Sequence, residues 1–288
     1  MPELPEVETV ANGVHQRVHG DWIDSVWIGD KPEPLKSPSA LIIAALTGSR
    51  IERVHRVGKT IVFDLATADS HSPNPAPRNQ FLVHLGMTGR LLVSHPDVPL
   101  PAHTHWIARL RSGRELRFVD ARRFGRLSVV SAAVPGGEAG DGPGSGFKGT
   151  GREPLSISPE DFTGLFRGRR TPIKSALLNQ KLLHGVGNIY ADEALFRAGI
   201  RPRRHACRLT RAELLRLRAA LQSVLKQAIS LGGSSVSDYV DADGVRGFFQ
   251  LEHRVYLRTG KPCASCGQPV RRILLGGRGT HFCAHCQH

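Results

Sequence analysis

The sequence predicts an α+β chain: a β-sandwich or barrel-like first half, a mainly helical second half and a closing cysteine hairpin. Three observations carry this prediction. From Trp22 to about Val130 the apolar residues come in short β-rich runs, among them Thr60-Ile61-Val62-Phe63, Gln80-Phe81-Leu82-Val83 and Leu127-Ser128-Val129-Val130, parted by turn residues. Beyond residue 151 the apolar spacing becomes helical and cap residues recur. Four of the five cysteines then form two Cys-x-x-Cys pairs near the C-terminal end.

Taken in order, Val7, Val10, Val14 and Val18 make one apolar stripe of a helix starting near Pro5, which should pack on a sheet. Ala66 to Asn79 is rich in Ser, Pro and Asn and reads as a surface loop. Pro135 to Gly151 is too rich in glycine for an element and suits a flexible connection. Ser158-Pro159-Glu160-Asp161 resembles an N-cap with proline in the first turn, and Thr171-Pro172 repeats the device, so helices are expected from near 159 and 172. A third helix is expected after a cap at Asn188, ending at Gly199. A fourth runs from Thr210, whose capping box closes on Glu213, to Gly232-Gly233. Cys207 stands apart from the paired cysteines and is expected to be a small buried residue.

Lysine and arginine outnumber aspartate and glutamate by 39 to 25 among 288 residues, a net charge of +14. Such an excess makes a polyanion the natural partner, nucleic acid ahead of an anionic membrane. The length exceeds one typical core, so two domains are expected and a small stapled scaffold is excluded. No apolar stretch approaches membrane-spanning length, and the acidic start MPELPEVETV lacks the basic and apolar regions of a signal peptide. A cytoplasmic protein with no membrane partner is expected.

Cys263 and Cys266 are separated from Cys283 and Cys286 by sixteen residues, a spacing that lets two tight turns present four thiolates to one zinc ion. A closed four-cysteine site is structural, because no position is left open for catalysis. The hairpin it would hold carries Arg271, Arg272 and Arg278 among glycines, suited to aiming guanidinium groups at phosphate or at a base. Gly185 and Gly187 precede a helix, where exposed backbone N–H groups could receive a phosphate oxygen; without Lys174 and the basic context an ordinary glycine turn would be the better reading.

At the chain start, removal of Met1 would leave Pro2 as a free secondary amine with a pKa near neutrality. A neutral amine can attack a sugar carbon and form an iminium ion, the Schiff-base logic that lysine usually serves. Glu3 and Glu6 lie beside it and could do acid–base work, whereas Glu8 reads as a helix N-terminal acid favourable to the dipole. Met87 between glycines in His84-Leu85-Gly86-Met87-Thr88-Gly89-Arg90, and Phe124 after arginines in Asp120-Ala121-Arg122-Arg123-Phe124-Gly125, suit wedges between base pairs. Either residue alone would read as core packing.

Together MPELPEVETV, HLGMTGR, DARRFG, HGVGNIYADEALF and the four-cysteine finger resemble the bacterial formamidopyrimidine-DNA glycosylase family over essentially the whole chain. The resemblance implies a β-sandwich flanked by helices, a helix-two-turn-helix bundle and a zinc-finger β-hairpin. It implies removal of 8-oxoguanine and ring-opened purines, followed by β- and δ-elimination at the abasic site, on double-stranded DNA and by a monomer. Carried over by motif, Pro2 is the nucleophile, Glu3 the proton relay at the opened sugar, Glu6 its helper and Lys59 a phosphate-contacting lysine that assists catalysis. Met87, Arg122 and Phe124 match the void-filling triad. His84, His103, Arg123, Lys174, Asn188 and Arg278 match the grip on backbone phosphates, and one structural zinc is the cofactor. The expected domains are a catalytic sandwich over 1–134, a linker over 135–152, a helix-two-turn-helix domain with a lesion-capping loop over 153–240, and a zinc finger over 241–288. The run Gly151-Arg152-Glu153-Pro154-Leu155 departs from the family's more familiar Gly-Pro-Glu-Pro-Leu.

Two rivals remain at this point. A sister glycosylase for oxidised pyrimidines keeps the Pro-Glu start, but the continuation Leu4-Pro5-Glu6-Val7-Glu8-Thr9 favours the purine branch. A non-catalytic zinc-dependent DNA-binding protein has no need of such a terminus.

Overall fold

The computed structural model describes residues 1–67, 79–131, 146–236 and 239–288. By their contacts these fall into two compact units, Met1–Gly149 with Ser234–Gly247, and Thr150–Gly233 with Phe248–His288.

The first unit opens with α1 (Leu4–Val18), where the valine stripe is fully turned inward. Each such buried valine contributes about 1.5–3 kcal/mol relative to exposure. There follow β1 (Ile23–Ile28), α2 (Ser39–Leu46), β2 (Ser49–Val57), β3 (Thr60–Thr67), β4 (Asn79–His84), β5 (Arg90–Ser94), β6 (Thr104–Leu110), β7 (Glu115–Val119) and β8 (Arg126–Ser131). They form two antiparallel four-stranded sheets, ordered β2, β3, β4, β8 and β1, β6, β7, β5. Phe81 of β4 stacks on Trp106 of β6 with ring centroids 5.0 Å apart, so the aromatic core joins the inner faces of a sandwich. The helix α1 packs on β2, β3 and β5.

α2 is absent from the reading of residues 22–130, which takes that stretch as short β-rich runs. Its sequence Ser39-Ala40-Leu41-Ile42-Ile43-Ala44-Ala45-Leu46 is apolar almost throughout, so no helical stripe stands out, yet only Ile42, Ala45 and Leu46 are buried. The loop expected over 66–79 falls mainly outside the described residues; Ala66 ends within β3 and Asn79 opens β4. Most of the glycine-rich stretch, 135–145, lies outside them too.

The second unit contains α3 (Pro159–Gly164), α4 (Ile173–Leu177), α5 (Asn188–Arg197) and α6 (Arg211–Ser230), then the hairpin β9 (Arg271–Leu275) and β10 (Arg278–Phe282). Ser158 caps α3 and the Thr210–Glu213 box caps α6, as their sequences direct. Two expected caps are corrected. Thr171 does not cap α4: its carbonyl accepts the Ala206 N–H and Pro172 bridges His205, so the segment stays extended and the helix starts only at Ile173. Asn188 is the first residue of α5, after an N-cap at Gly187, and its amide donates to the Gly279 carbonyl instead (3.0 Å). Cys207, expected to be buried, is exposed; its N–H pairs with the Arg169 carbonyl in the loop before α6. No helix among the described residues is long and apolar enough to cross a membrane.

Candidate active site and zinc centre

Pro2 is buried immediately before α1. Glu3 occupies the N-cap position, and its N–H donates to Glu6 Oε2 at 2.8 Å, one half of a capping box. The other Glu6 oxygen accepts the Ser234 N–H at 2.7 Å, and the Glu6 carbonyl accepts the Tyr239 hydroxyl at 3.3 Å. Both carboxylates are nearly inaccessible, at 5% and 2% exposure. The helix N-terminus and these N–H donors supply the positive end that two buried acids require. Glu6 therefore fixes both the residue after Pro2 and the start of the 234–247 segment, whose Tyr239 and Ala242 enter the sandwich core.

Lys59 stands in the two-residue turn joining β2 to β3, where Val57 pairs with Thr60 and Gly58 takes a φ of 62°. The adjacent strand pairing sets Thr60 against His84 and His84 against Arg126. Burial pushes the His84 pKa down, and the charges of Arg126 and Lys59 push it further. Lys59 and His84, far apart in sequence, are thus electrostatic neighbours.

Met87 and Phe124 are 41% and 52% exposed on two loops that meet. Gly86, at a φ of 64°, lies so close to Phe124 that a Cβ would fall 2.5 Å from the Phe124 carbonyl carbon, so only glycine permits the approach. The Arg122 guanidinium lies 4.7 Å over the Phe124 ring. Asp120, wholly buried, organises the pair: Oδ2 accepts the Gly125 N–H at 2.7 Å, while Oδ1 accepts the Thr88 hydroxyl and, at 3.2 Å, the Arg122 N–H. Its backbone N–H binds the His103 carbonyl and its carbonyl contacts His105 Nε2. His103 and Arg123 have φ of 66° and 58°, a left-handed backbone that costs non-glycine residues about 1–3 kcal/mol and tends to be retained at functional positions. Arg123 is also paired with Glu33 at 2.6 Å.

In the second unit Lys174, which the resemblance assigns to the phosphate grip, is buried. Its side chain is 1% exposed and its ammonium meets Asp192 Oδ1 (2.7 Å), Thr280 Oγ1 (2.8 Å) and the Gly279 carbonyl (3.1 Å). Asn188 holds the same carbonyl, and Asp192 Oδ2 accepts the His281 N–H at 2.8 Å. Lys174 and Asn188 therefore grip β10 from α4 and α5, leaving Arg278 exposed at its start. The Gly185 N–H, a candidate phosphate donor, is already bound to Gln180 Oε1 at 2.9 Å.

Cys263, Cys266, Cys283 and Cys286 bring their sulfurs within 4.8 Å of one another, with 3.9 Å between Cys263 and Cys286 and 3.5 Å between Cys266 and Cys283. A tetrahedron of thiolates at the usual zinc–sulfur distance has edges of about 3.8 Å, so the four residues fit one zinc ion. Around them Phe196, Val255 and Val270 form a small apolar core that seats the finger on α5.

Three anchoring residues escape sequence reasoning: Asp120, Asp192 and Glu193. Buried Glu193 accepts the N–H groups of Arg254, Val255 and Tyr256 ahead of the finger. Asp120 begins one quoted motif and both others lie inside another, but nothing in their spacing distinguishes an inward acid from a solvated one.

Comparison with known proteins agrees region by region. The family models described as Formamidopyrimidine-DNA glycosylase N-terminal domain, Formamidopyrimidine-DNA glycosylase H2TH domain and Zinc finger found in FPG and IleRS match residues 1–127, 151–240 and 260–288. Formamidopyrimidine-DNA glycosylase of Solibacter usitatus is 42% identical over 100% of this chain and 99% of its own. A crystal structure of a Lactococcus lactis FPG mutant with Fapy-dG containing DNA superposes with a TM-score of 0.83 at 30% identity, covering 100% of both chains. The Lactococcus lactis Fpg complex with abasic-site DNA gives 0.83 at 30%, covering 99% of each. With a sandwich, a helical region and a cysteine finger all matched end to end, the chain belongs to the formamidopyrimidine-DNA glycosylase family.

Proposed function

We propose that the chain is a bifunctional glycosylase and lyase of base excision repair, which removes 8-oxoguanine and formamidopyrimidines from double-stranded DNA through Pro2 and then cuts the abasic site. The observation that carries this reading is the start of α1: a proline followed by two buried, hydrogen-bonded carboxylates. With Met1 removed, the neutral Pro2 nitrogen attacks the sugar C1′ and the damaged purine leaves with a proton. Glu3, as an acid, protonates the ring oxygen, and opening of the sugar gives an iminium ion on Pro2. The iminium draws electrons from C2′, which loses its proton, and the 3′ phosphate departs by β-elimination; δ-elimination then releases the 5′ phosphate. Glu6 holds the Glu3 backbone in place, and Lys59 supplies a positive charge for phosphate at the reacting nucleotide.

Met87, Arg122 and Phe124 fill the gap left by the extruded base. Exposed His103, Arg123 and Arg278, and half-buried His84, serve as phosphate contacts; Lys174 and Asn188 act through the strand that presents Arg278. Cys263, Cys266, Cys283 and Cys286 would hold one zinc ion that stabilises the finger and, with four protein ligands, would keep no open position for substrate. With such a substrate the protein works in the bacterial cytoplasm, at the nucleoid.

Incision of labelled duplexes tests the assignment. An 8-oxoguanine duplex should be cut to products ending in phosphate on both sides of the gap, and should outcompete a thymine glycol duplex. Preference for thymine glycol would assign the chain to oxidised pyrimidines, and tight binding without incision would leave only a DNA-binding role.

A further inference from the structure

Lys59 sits at a hairpin tip, a kind of position that ordinarily belongs to the low-stability end of a fold. Here the tip is tethered. Arg56, three residues earlier on β2, has a side chain only 4% exposed. Its Nε donates to Glu8 Oε2 of α1 at 2.6 Å, and its Nη1 donates to the Gly58 carbonyl at 3.1 Å. That carbonyl belongs to the peptide bond leading into Lys59, and Glu8 lies on α1, which Glu3 caps directly after Pro2.

We propose that Arg56 is a positioning residue for the reaction centre: its buried guanidinium fixes the Lys59 turn to the helix that follows Pro2. This rests on the reading that Pro2 and Lys59 serve one reaction. Both contacts require a fork. One N–H faces a carboxylate and another a backbone carbonyl, an arrangement that the planar guanidinium offers with little further loss of freedom and a lysine ammonium does not. Charge-assisted bonds of this kind are about twice as strong as neutral ones. Glu8, which the sequence reads as a dipole-favouring acid, thereby becomes the anchor of the second catalytic element. Misplacement of a catalytic group by about 1 Å can cost about a hundredfold in rate, so a tether outside the chemistry can control it.

The test compares wild type, Arg56→Lys, Glu8→Gln, Lys59→Ala and the Arg56→Lys/Lys59→Ala double variant, all as the full zinc-loaded chain. Three quantities are read: the single-turnover excision rate on an 8-oxoguanine duplex, the Kd for a duplex bearing a tetrahydrofuran abasic analogue, and the Tm. Arg56→Lys should slow excision by about tenfold or more with Kd within about twofold of wild type, and Glu8→Gln should do the same more weakly. In the Lys59→Ala background Arg56→Lys should change the rate by less than about twofold, because its effect runs through Lys59. An equal slowing in both backgrounds, or a wild-type rate in folded Arg56→Lys and Glu8→Gln, would overturn the proposal. If Arg56→Lys unfolds, Glu8→Gln with and without Lys59→Ala decides by the same comparison. Absence of excision by the wild type would instead count against the functional reading itself.

Discussion

Lys174 Nζ lies 2.7 Å from Asp192 Oδ1, with the two side chains 1% and 0% exposed, and the pair closes on β10 of the finger through Gly279 and Thr280. A pair so deeply buried is costly to assemble and costlier to break, since removal of one partner strands a charge. Lys174→Met should therefore destabilise the second unit by about 3–5 kcal/mol in denaturant unfolding. Lys174→Met/Asp192→Leu should recover much of that loss. Were Lys174 a surface phosphate contact, its removal would weaken DNA binding with little effect on unfolding.

Asp120 connects the Met87 loop to the Arg122–Phe124 loop. Asp120→Ala removes the acceptor for Gly125, Thr88 and Arg122 at once, and leaves the buried Gly125 N–H unsatisfied at a cost of about 1–3 kcal/mol. Met87, Arg122 and Phe124, proposed to fill the gap left by the extruded base, remain in the sequence but lose their fixed geometry. A fluorescent adenine analogue beside an 8-oxoguanine should report slower base extrusion in Asp120→Ala than in wild type. An unchanged extrusion rate would show that Asp120 serves folding alone.

Burial lowers the His253 pKa from about 6.5 to about 4, aided by the charges of Arg258 and His281 and opposed by a backbone hydrogen bond at Tyr256. The folded state thus binds fewer protons than the unfolded chain between these values. Its contribution to stability is complete above about pH 6.5 and is lost as pH falls towards 4. Replacement by phenylalanine, which keeps the edge contacts with Phe249 and Tyr256 within reach, should flatten the fall in Tm over that window. An identical pH profile in His253→Phe would place the titration elsewhere.

The charge of +14 has a direct solution signature. With roughly six phosphates neutralised, log K for a lesion duplex should fall against log salt with a slope of about −5. Arg278→Ala should reduce that slope by about one, whereas loss of buried Lys174 acts through the finger. Affinity independent of salt would contradict the electrostatic reading.

How much of this was legible in the sequence depends on whether a residue's role is local. The valine stripe of α1, the runs that become β3, β4 and β8, and the caps Ser158 and Thr210 each act within a few residues, and all stand as expected. The two cysteine pairs are local twice over, and their sulfurs converge. What escaped is long-range. Thr171 and Asn188 carry cap chemistry, but a backbone bond to Ala206 accompanies Thr171 outside the helix and the Asn188 amide is taken by the Gly279 carbonyl. The burial of Lys174 left no mark in the sequence, because nothing in its neighbourhood announces Asp192 eighteen residues later or Thr280 on the finger. Asp120 and Arg56 belong to the same class: a buried charge is chosen by the three-dimensional packing around it, which linear spacing does not encode.

Covalent capture tests the identity of the nucleophile most directly. Active protein incubated with an 8-oxoguanine duplex and borohydride should yield one protein–DNA adduct, and peptide mass spectrometry should place it on Pro2 with Met1 absent. Pro2→Gly should trap poorly. An adduct on Lys59 or another lysine, or full activity in protein that retains Met1, would contradict the account.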